Sequence, residues 1–182
     1  MGELPVTHPG DVVLTRCTLR PLDVARAADV AAGRRAPDWA PDYPTEGDVT
    51  IARLLLEAAS AGVETGPASP DRPWAGPWQV LVAGPDAVQR AVGGAGFHGP
   101  PDADAAVELG YGIAASARGR GVAADAARAL CGWAEQAGAV VFADTDVTNL
   151  DSERVLAAAG FTPDAELTAK GMRRWRRPPR AQ

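Results

Sequence analysis

The sequence predicts a single α/β domain of the α+β type, and three observations carry that prediction. A strand pattern, Val107 to Ala114, runs into a glycine- and arginine-rich turn and then into helical periodicity from Val122 to Gln136. Two further strand patterns, Trp78 to Ala83 and Ala87 to Phe97, are joined by the tight turn Gly84-Pro85-Asp86, so part of the sheet is antiparallel. The chain has 182 residues, 46% of them apolar, enough for one ordinary core. The domain is expected to fill residues 1–182, with a core from about residue 12 to 176 and short flexible tails.

Each element follows from local pattern. Val12 to Leu19 alternates as a strand. Pro21 stands where a helix begins, with Leu22, Ala25, Ala28 and Val30 as its apolar stripe. A Pro- and Asp-rich loop spans Arg35 to Gly47. Asp48 is placed to cap a second helix, with Ile51, Leu54, Leu55 and Ala58 on one face. Gly62 to Pro77 is a Pro/Gly-rich surface loop, long enough to form a lid. Gly93, Gly94 and Gly96 thin the next strand, which signals a bulge or a close approach by another group. Gly99-Pro100-Pro101-Asp102 turns the chain into Val107. The helix from Val122 has a stripe of Ala123, Ala126, Ala127, Leu130, Ala134 and Ala137, with Cys131 beside it, and Gly138 ends it. Ala139 to Asp144 reads as a strand, Ser152 to Ala159 as a short helix closed by Gly160, and Gly171 to Arg176 as a last strand. There are no internal repeats.

Composition narrows the function. The net charge is −5, so nucleic acid is not the expected partner. The one basic cluster, Arg173-Arg174-Trp175-Arg176-Arg177, reads as a solvated terminal strand and tail. No apolar run spans a bilayer. Met1 to Val6 has no basic and then apolar signal pattern, and Val6 stands where a myristoylation signal needs Ser or Thr. Cys17 and Cys131 are far apart, which fits free thiols in a reducing cytoplasm. Two histidines, His8 and His98, argue against a metal site.

The chemistry concentrates in Ser116-Ala117-Arg118-Gly119-Arg120-Gly121-Val122-Ala123. Glycines between a strand and a helix let backbone N–H groups converge on an anion, and the arginines add fork-shaped cationic donors. This is a phosphate cradle. Gly119 to Ala124 also fits the dinucleotide pattern G-x-G-x-x-G/A, with Asp144 or Asp146 as the ribose acid. Two features oppose an NAD(P) enzyme. Ser116-Ala117-Arg118 separate strand from glycine, and too little chain follows for a doubly wound sheet.

Arg118-x-x-Gly121-x-Ala123 matches the R/Q-x-x-G-x-G/A signature of the GNAT superfamily of acyl-CoA-dependent N-acetyltransferases. Val107 to Ile113 resembles that family's fourth strand. Thr148-Asn149-Leu150-Asp151-Ser152-Glu153-Arg154-Val155-Leu156, then Gly160-Phe161, is similar to its N-x-x-S-x-x-V-L…G-F segment. Leu19-Arg20-Pro21-Leu22 resembles the start of the branch containing bacterial ribosomal-protein N-terminal acetyltransferases. The likeness runs from about Val13 to Trp175.

The resemblance implies a twisted, mixed, mostly antiparallel sheet of roughly six to seven strands with about four flanking helices and splayed central strands. It implies acetyl-CoA as co-substrate and no metal. The pantetheine arm would pair with Tyr111, Gly112, Ile113 and Ala114, and the pyrophosphate would sit on Arg118, Gly119, Arg120, Gly121, Val122 and Ala123. Many relatives use a late tyrosine as proton donor, but no tyrosine follows Tyr111 here. Ser152 is the substitute, with helix capping as its other reading, and Asn149 would orient the pantetheine or a water. Glu108 is the expected base and His98 the alternative.

The acceptor is expected to be a small-molecule or peptide primary amine, attacked directly in a ternary complex. Pro37 to Asp48 carries four acids and no base, and Asp38, Trp39, Asp42 and Tyr43 would favour a cationic acceptor. The runner-up function is a non-catalytic acyl-CoA-binding protein. Membrane and nucleic acid are not expected partners, and monomer and homodimer both stay open.

Overall fold

The computed structural model describes residues 8–63 and 66–178. The N-terminal stretch Met1 to Val6 and the end of the C-terminal tail lie outside them, as does part of the loop read as a lid. Among the described residues eight strands form one sheet: β1 (Val12–Val13), β2 (Thr18–Pro21), β3 (Trp78–Ala83), β4 (Gln89–Phe97), β5 (Ala106–Ile113), β6 (Val140–Thr145), β7 (Thr162–Leu167) and β8 (Arg173–Arg176). Their order is β1-β2-β3-β4-β5-β6-β8-β7. Only β5 and β6 are parallel. The helices are α1 (Val24–Ala31), α2 (Glu46–Ser60), α3 (Val122–Gln136) and α4 (Leu150–Ala158).

The first strand pattern folds back on itself. Val12 pairs with Leu19 and Val13 with Thr18, and the Leu14 N–H donates to the Cys17 carbonyl. The turn is pinned from outside, because the Arg16 N–H donates to the Asp125 carboxylate at 2.7 Å. Pro21 ends β2 opposite Trp78 and does not open α1. That helix starts later, at a cap where Asp23 accepts the Arg26 N–H. Its buried residues are Ala27 and Val30, while Leu22 is buried in the link before it. In α2 the cap is Thr45, and Asp48 returns a bond to the Thr45 N–H, closing a capping box. Ala52 and Leu55 are buried there and Leu54 faces outward. Ala137 lies beyond the last turn of α3 and is exposed.

Side chains alternate along β5, and the alternation sorts the two faces of the sheet. Tyr111 reaches α4, and Trp78, on the same face, stacks against Trp133 of α3 at 5.4 Å. On the opposite face Gln79 bonds Arg26 of α1, and Asp48 of α2 lies over Gly94. The core holds Leu19, Trp78, Leu81, Leu130, Val141 and Leu156.

The glycines of β4 and β5 mark a region of close approach. A bulge at Val92 shifts the β3–β4 register, so Val80 pairs with Gly93 and Leu81 with Ala91. A Cβ on Gly93 would stand 2.1 Å from the Gly112 carbonyl oxygen. Gly93→Ala should therefore cost about 1–3 kcal/mol by overpacking against rigid backbone. For a domain of this size that lowers Tm by about 2–4 °C per kcal/mol. Thermal melts check it, and an unchanged Tm would contradict the close approach.

Candidate functional site

The sheet opens in its middle. β5 and β6 pair only from Ala106↔Val140 to Glu108↔Phe142. Beyond that, β5 stays with β4 as far as Gly93↔Ile113, and β6 stays with β8 as far as Thr145↔Arg173. The two strands part, and a cavity of about 570 Å³ occupies the gap. It is lined from both faces of the sheet, by Asp48, Gln79 and Glu108 on one and by Leu109, Tyr111 and Leu156 on the other.

At the far end of β5 the chain passes through Ala114 and a single 3-10 turn, Ala115–Ala117, to the glycine loop. Gly119 and Gly121 both have φ of 73°, a left-handed backbone that glycine adopts without strain. Gly121 is the N-cap of α3 and offers no side-chain acceptor. The other helices are capped by Asp23, Thr45 and Asn149. The first-turn amides of α3, from Val122 and Ala123 onward, therefore have no capping partner at the positive end of the helix dipole. Arg118 Nε donates to the Ile113 carbonyl at 2.9 Å, and Arg120 donates to the Ser116 carbonyl at 3.0 Å. Arg16 closes the loop from the β1–β2 hairpin, donating to the Arg120 carbonyl at 3.2 Å. Three arginines and an uncapped helix end fit a pyrophosphate.

On the α4 side, Asn149 is the helix cap and accepts the Ser152 N–H at 3.1 Å. Capping is therefore not the task of Ser152, whose hydroxyl is spared for other work. Asn149, Ser152, Tyr111 and Gly112 line the cavity, and Ile113 and Ala114 carry the strand on toward the loop. The Tyr111 hydroxyl donates to the Ser152 carbonyl at 3.2 Å, which ties β5 to α4 across the opening. Burial pushes its pKa up.

On the α2 side, Gly94 pairs with Gly112 and Gly96 with Gly110. These four residues form a floor without side chains. A Cβ on Gly110 would stand 2.6 Å from His98 Nε2 and 3.4–3.5 Å from the ring carbons beside it, so the imidazole points its Nε2 end at that spot. His98 Nδ1 is 3.4 Å from Glu108 Oε1. The two residues predicted as alternative bases are thus one pair. Asp48 stands over the other end of the floor, a position that the capping pattern alone did not reveal. The signal for it was present in Gly94, whose missing side chain leaves room for the carboxylate.

The predicted acceptor loop is spent mainly on structure. Asp38 pairs with Arg26 and lies 3.8 Å from Arg20. Trp39 is core and packs edge-on against Tyr43 at 5.1 Å. Asp42 accepts from the Ser116 N–H and hydroxyl beside the glycine loop. Tyr43 alone of the four lines the cavity, with its hydroxyl accepting from Gln79. The acidity predicted for the acceptor side comes from other residues. Asp48, Glu108, Asp144 and Asp146 line the cavity, and among the described residues no Lys or Arg does.

Three further readings are corrected or sharpened. The C-terminal arginines are held by acids: Arg173 by Glu153, Arg174 by Asp144, Arg176 by Asp164 and Arg177 by Glu135. They offer no free basic surface. The dinucleotide fingerprint fails because β5 is antiparallel to β4, and Asp144 is occupied by Arg174. Both cysteines are free and buried, and burial pushes each thiol up to about 12. Among the described residues no cluster could hold a metal ion, and no helix is long and apolar enough to cross a membrane.

Residues 16–162 match the acetyltransferase (GNAT) domain family. A Bordetella pertussis protein described as a GNAT-family acetyltransferase is 25% identical, with a TM-score of 0.58 over 92% of this chain and 99% of its own. Mycobacterium smegmatis RimJ, solved with CoA-disulfide, is 19% identical, with a TM-score of 0.58 over 92% of this chain and 85% of its own. A RimL ribosomal L7/L12 α-N-protein acetyltransferase, solved with coenzyme A, is 18% identical, with a TM-score of 0.58 over 92% of this chain and 97% of its own. The latter two likenesses are of fold. No curated protein sequence matches the chain.

The roles of Asn149, the cap of α4, and Ser152, in its first turn, are separable by experiment. Asn149→Ala should cost about 1 kcal/mol of stability through the lost cap. Ser152→Ala should leave the denaturation midpoint where it is. A stability loss in Ser152→Ala equal to that of Asn149→Ala would reverse the assignment.

Proposed function

The chain belongs to the GNAT acetyltransferase family and is an acyltransferase, and from that premise we propose that it transfers acetyl from acetyl-CoA to a primary amine by direct attack in a ternary complex. The observation that carries this is the continuity of cradle, gap and floor in one passage through the sheet. The amides and arginines from Arg118 to Ala123 hold the pyrophosphate. Tyr111 to Ala114 present backbone to the pantetheine arm, and Asn149 orients it. Bound acetyl-CoA supplies the activated thioester and the leaving thiolate.

The protein's own residues do the rest. The acceptor amine enters from the α2 side and must be neutral to attack. His98 Nε2, over Gly110, accepts its proton, while Glu108 holds Nδ1 and stabilises the imidazolium. The Ser152 hydroxyl donates a hydrogen bond toward the thiolate. A covalent route through cysteine is disfavoured, since neither thiol lines the cavity and both are raised to about 12. Among the described residues the lining holds four carboxylates and no Lys or Arg, which favours an acceptor that arrives as a cation, whether small molecule or peptide N-terminus. The absence of a tyrosine after Tyr111 favours, as second reading, an acyl-CoA-binding protein without turnover.

Acetyl-CoA-dependent thiol release across a panel of amines separates the two readings. Turnover with intersecting initial-velocity lines is expected; CoA binding without turnover would favour the second. Gly121→Val should raise the acetyl-CoA KM about ten-fold or more, because charge-assisted hydrogen bonds to the pyrophosphate are worth roughly 1.5–3 kcal/mol each. Ser152→Ala should lower kcat about 10²-fold. His98→Asn should remove the acidic limb of the kcat/KM profile, and Glu108→Gln should lower the rate while keeping the limb. A limb that survives in His98→Asn and vanishes in Glu108→Gln would make Glu108 the base.

A further inference from the structure

Of the four acids that line the cavity, Asp48 is the most deeply buried. Glu108 faces His98, and Asp144 is bridged by Arg174. Asp146 is exposed, and its carboxylate accepts from Thr148. Asp48 is only 8% exposed, yet among the described residues no cation pairs with it. One oxygen, Oδ2, is used by the Thr45 N–H at 2.8 Å and the Thr45 hydroxyl at 2.7 Å. The other, Oδ1, has no hydrogen-bond partner among the described residues. It stands over Gly94, 2.8 Å from where a Cβ would be. Burial raises the pKa of this carboxyl, and the Thr45 bonds only partly oppose that. A cationic partner in the cavity would relieve the cost of its charge.

The second polar station on the floor is His98, over Gly110. Gly94 pairs with Gly112, so Gly110 is its diagonal neighbour on β5. Diagonal neighbours in an antiparallel pair lie about 7–8 Å apart, a span matched by an extended chain of about four or five carbons between two nitrogens. The floor between them, Gly94, Gly96, Gly110 and Gly112, has no side chains. Pro77 and Ile51 add apolar lining. The passage suits an unbranched methylene chain with a positive charge at its far end.

We propose that the acceptor is a slender aliphatic diamine, with its reacting nitrogen at His98 and its second, protonated nitrogen held by Asp48 Oδ1 over Gly94. This rests on the acetyl-transfer reading for which nitrogen reacts, but not for the binding of the second one. Asp48 is a specificity-determining residue on this account. It touches the acceptor and takes no proton from the reacting amine.

Calorimetric titration of the protein, with and without CoA, compares putrescine with n-butylamine, which has the same chain and lacks the second charge. Putrescine should bind about ten-fold or more tightly, the worth of one charge-assisted hydrogen bond. In Asp48→Asn, whose amide oxygen can still accept from the Thr45 N–H, the two ligands should bind alike. Gly94→Ala, which places a methyl against Oδ1 and keeps the Asp48 charge, should also abolish the preference if Asp48→Asn proves unstable. Equal binding of the two amines to the wild-type protein would overturn the proposal. So would a preference that survives both variants, or tighter binding of a peptide N-terminus with neutral side chains. Acetyl-CoA turnover is measured in parallel. Its absence with every amine would defeat the transferase reading, whereas loss of the putrescine preference alone would defeat only this one.

Discussion

The parting of β5 and β6 after Glu108 and Phe142 is the constraint on which the rest depends. Each strand is held on its outer side, β5 by β4 and β6 by β8, so neither can swing across to close the gap. Unpaired backbone inside a protein is costly unless something meets it. The free edge of β5 at Leu109 and Tyr111 is therefore a standing offer of hydrogen bonds to an extended partner. The Tyr111 hydroxyl spans the opening to α4 without filling it. The same parting connects the two faces of the sheet, so a group on the α4 side and one on the α2 side meet there.

The glycine loop depends on that geometry. It lies at the end of β5, where the strand has already turned away from β6, and α3 starts with its amides facing outward. Gly121 answers two demands there, a left-handed φ of 73° and the passage of Arg16, whose Cδ would be 3.2 Å from a Cβ. Positive charge at this end of the protein is concentrated in Arg16, Arg118 and Arg120, all tied to backbone carbonyls. The cavity lining is acidic by contrast. One end of the passage suits an anion and the other a cation.

What the sequence made legible was chemistry that is local along the chain. Strand, glycine turn and helix are contiguous, and so is Asn149 to Ser152, so their geometry follows from the order of residues. What it hid were partners distant in the chain. Asp38 read as a free acid because Arg26 and Arg20 meet it only in the folded state, and Trp39 and Tyr43 read as display aromatics because nothing local shows their burial. The C-terminal arginines looked basic for the same reason. Val12 to Leu19 has the right period for a strand, and period alone does not tell a strand from a tight hairpin. Asp48 was legible as part of a helix start but not as a cavity residue, since that needs Gly94 opposite it.

The position of β8 carries one consequence for how the molecule comes into being. This strand follows every other element in the sequence, yet it lies inside the sheet, between β6 and β7. Arg173, Arg174 and Arg177 rivet it and the residue after it to α4, β6 and α3. During synthesis β6 therefore emerges without its outer neighbour, and one wall of the passage has nothing to lean on. The glycine loop and α3 are already made by then. The cleft is therefore complete only when β8 takes its place between β6 and β7.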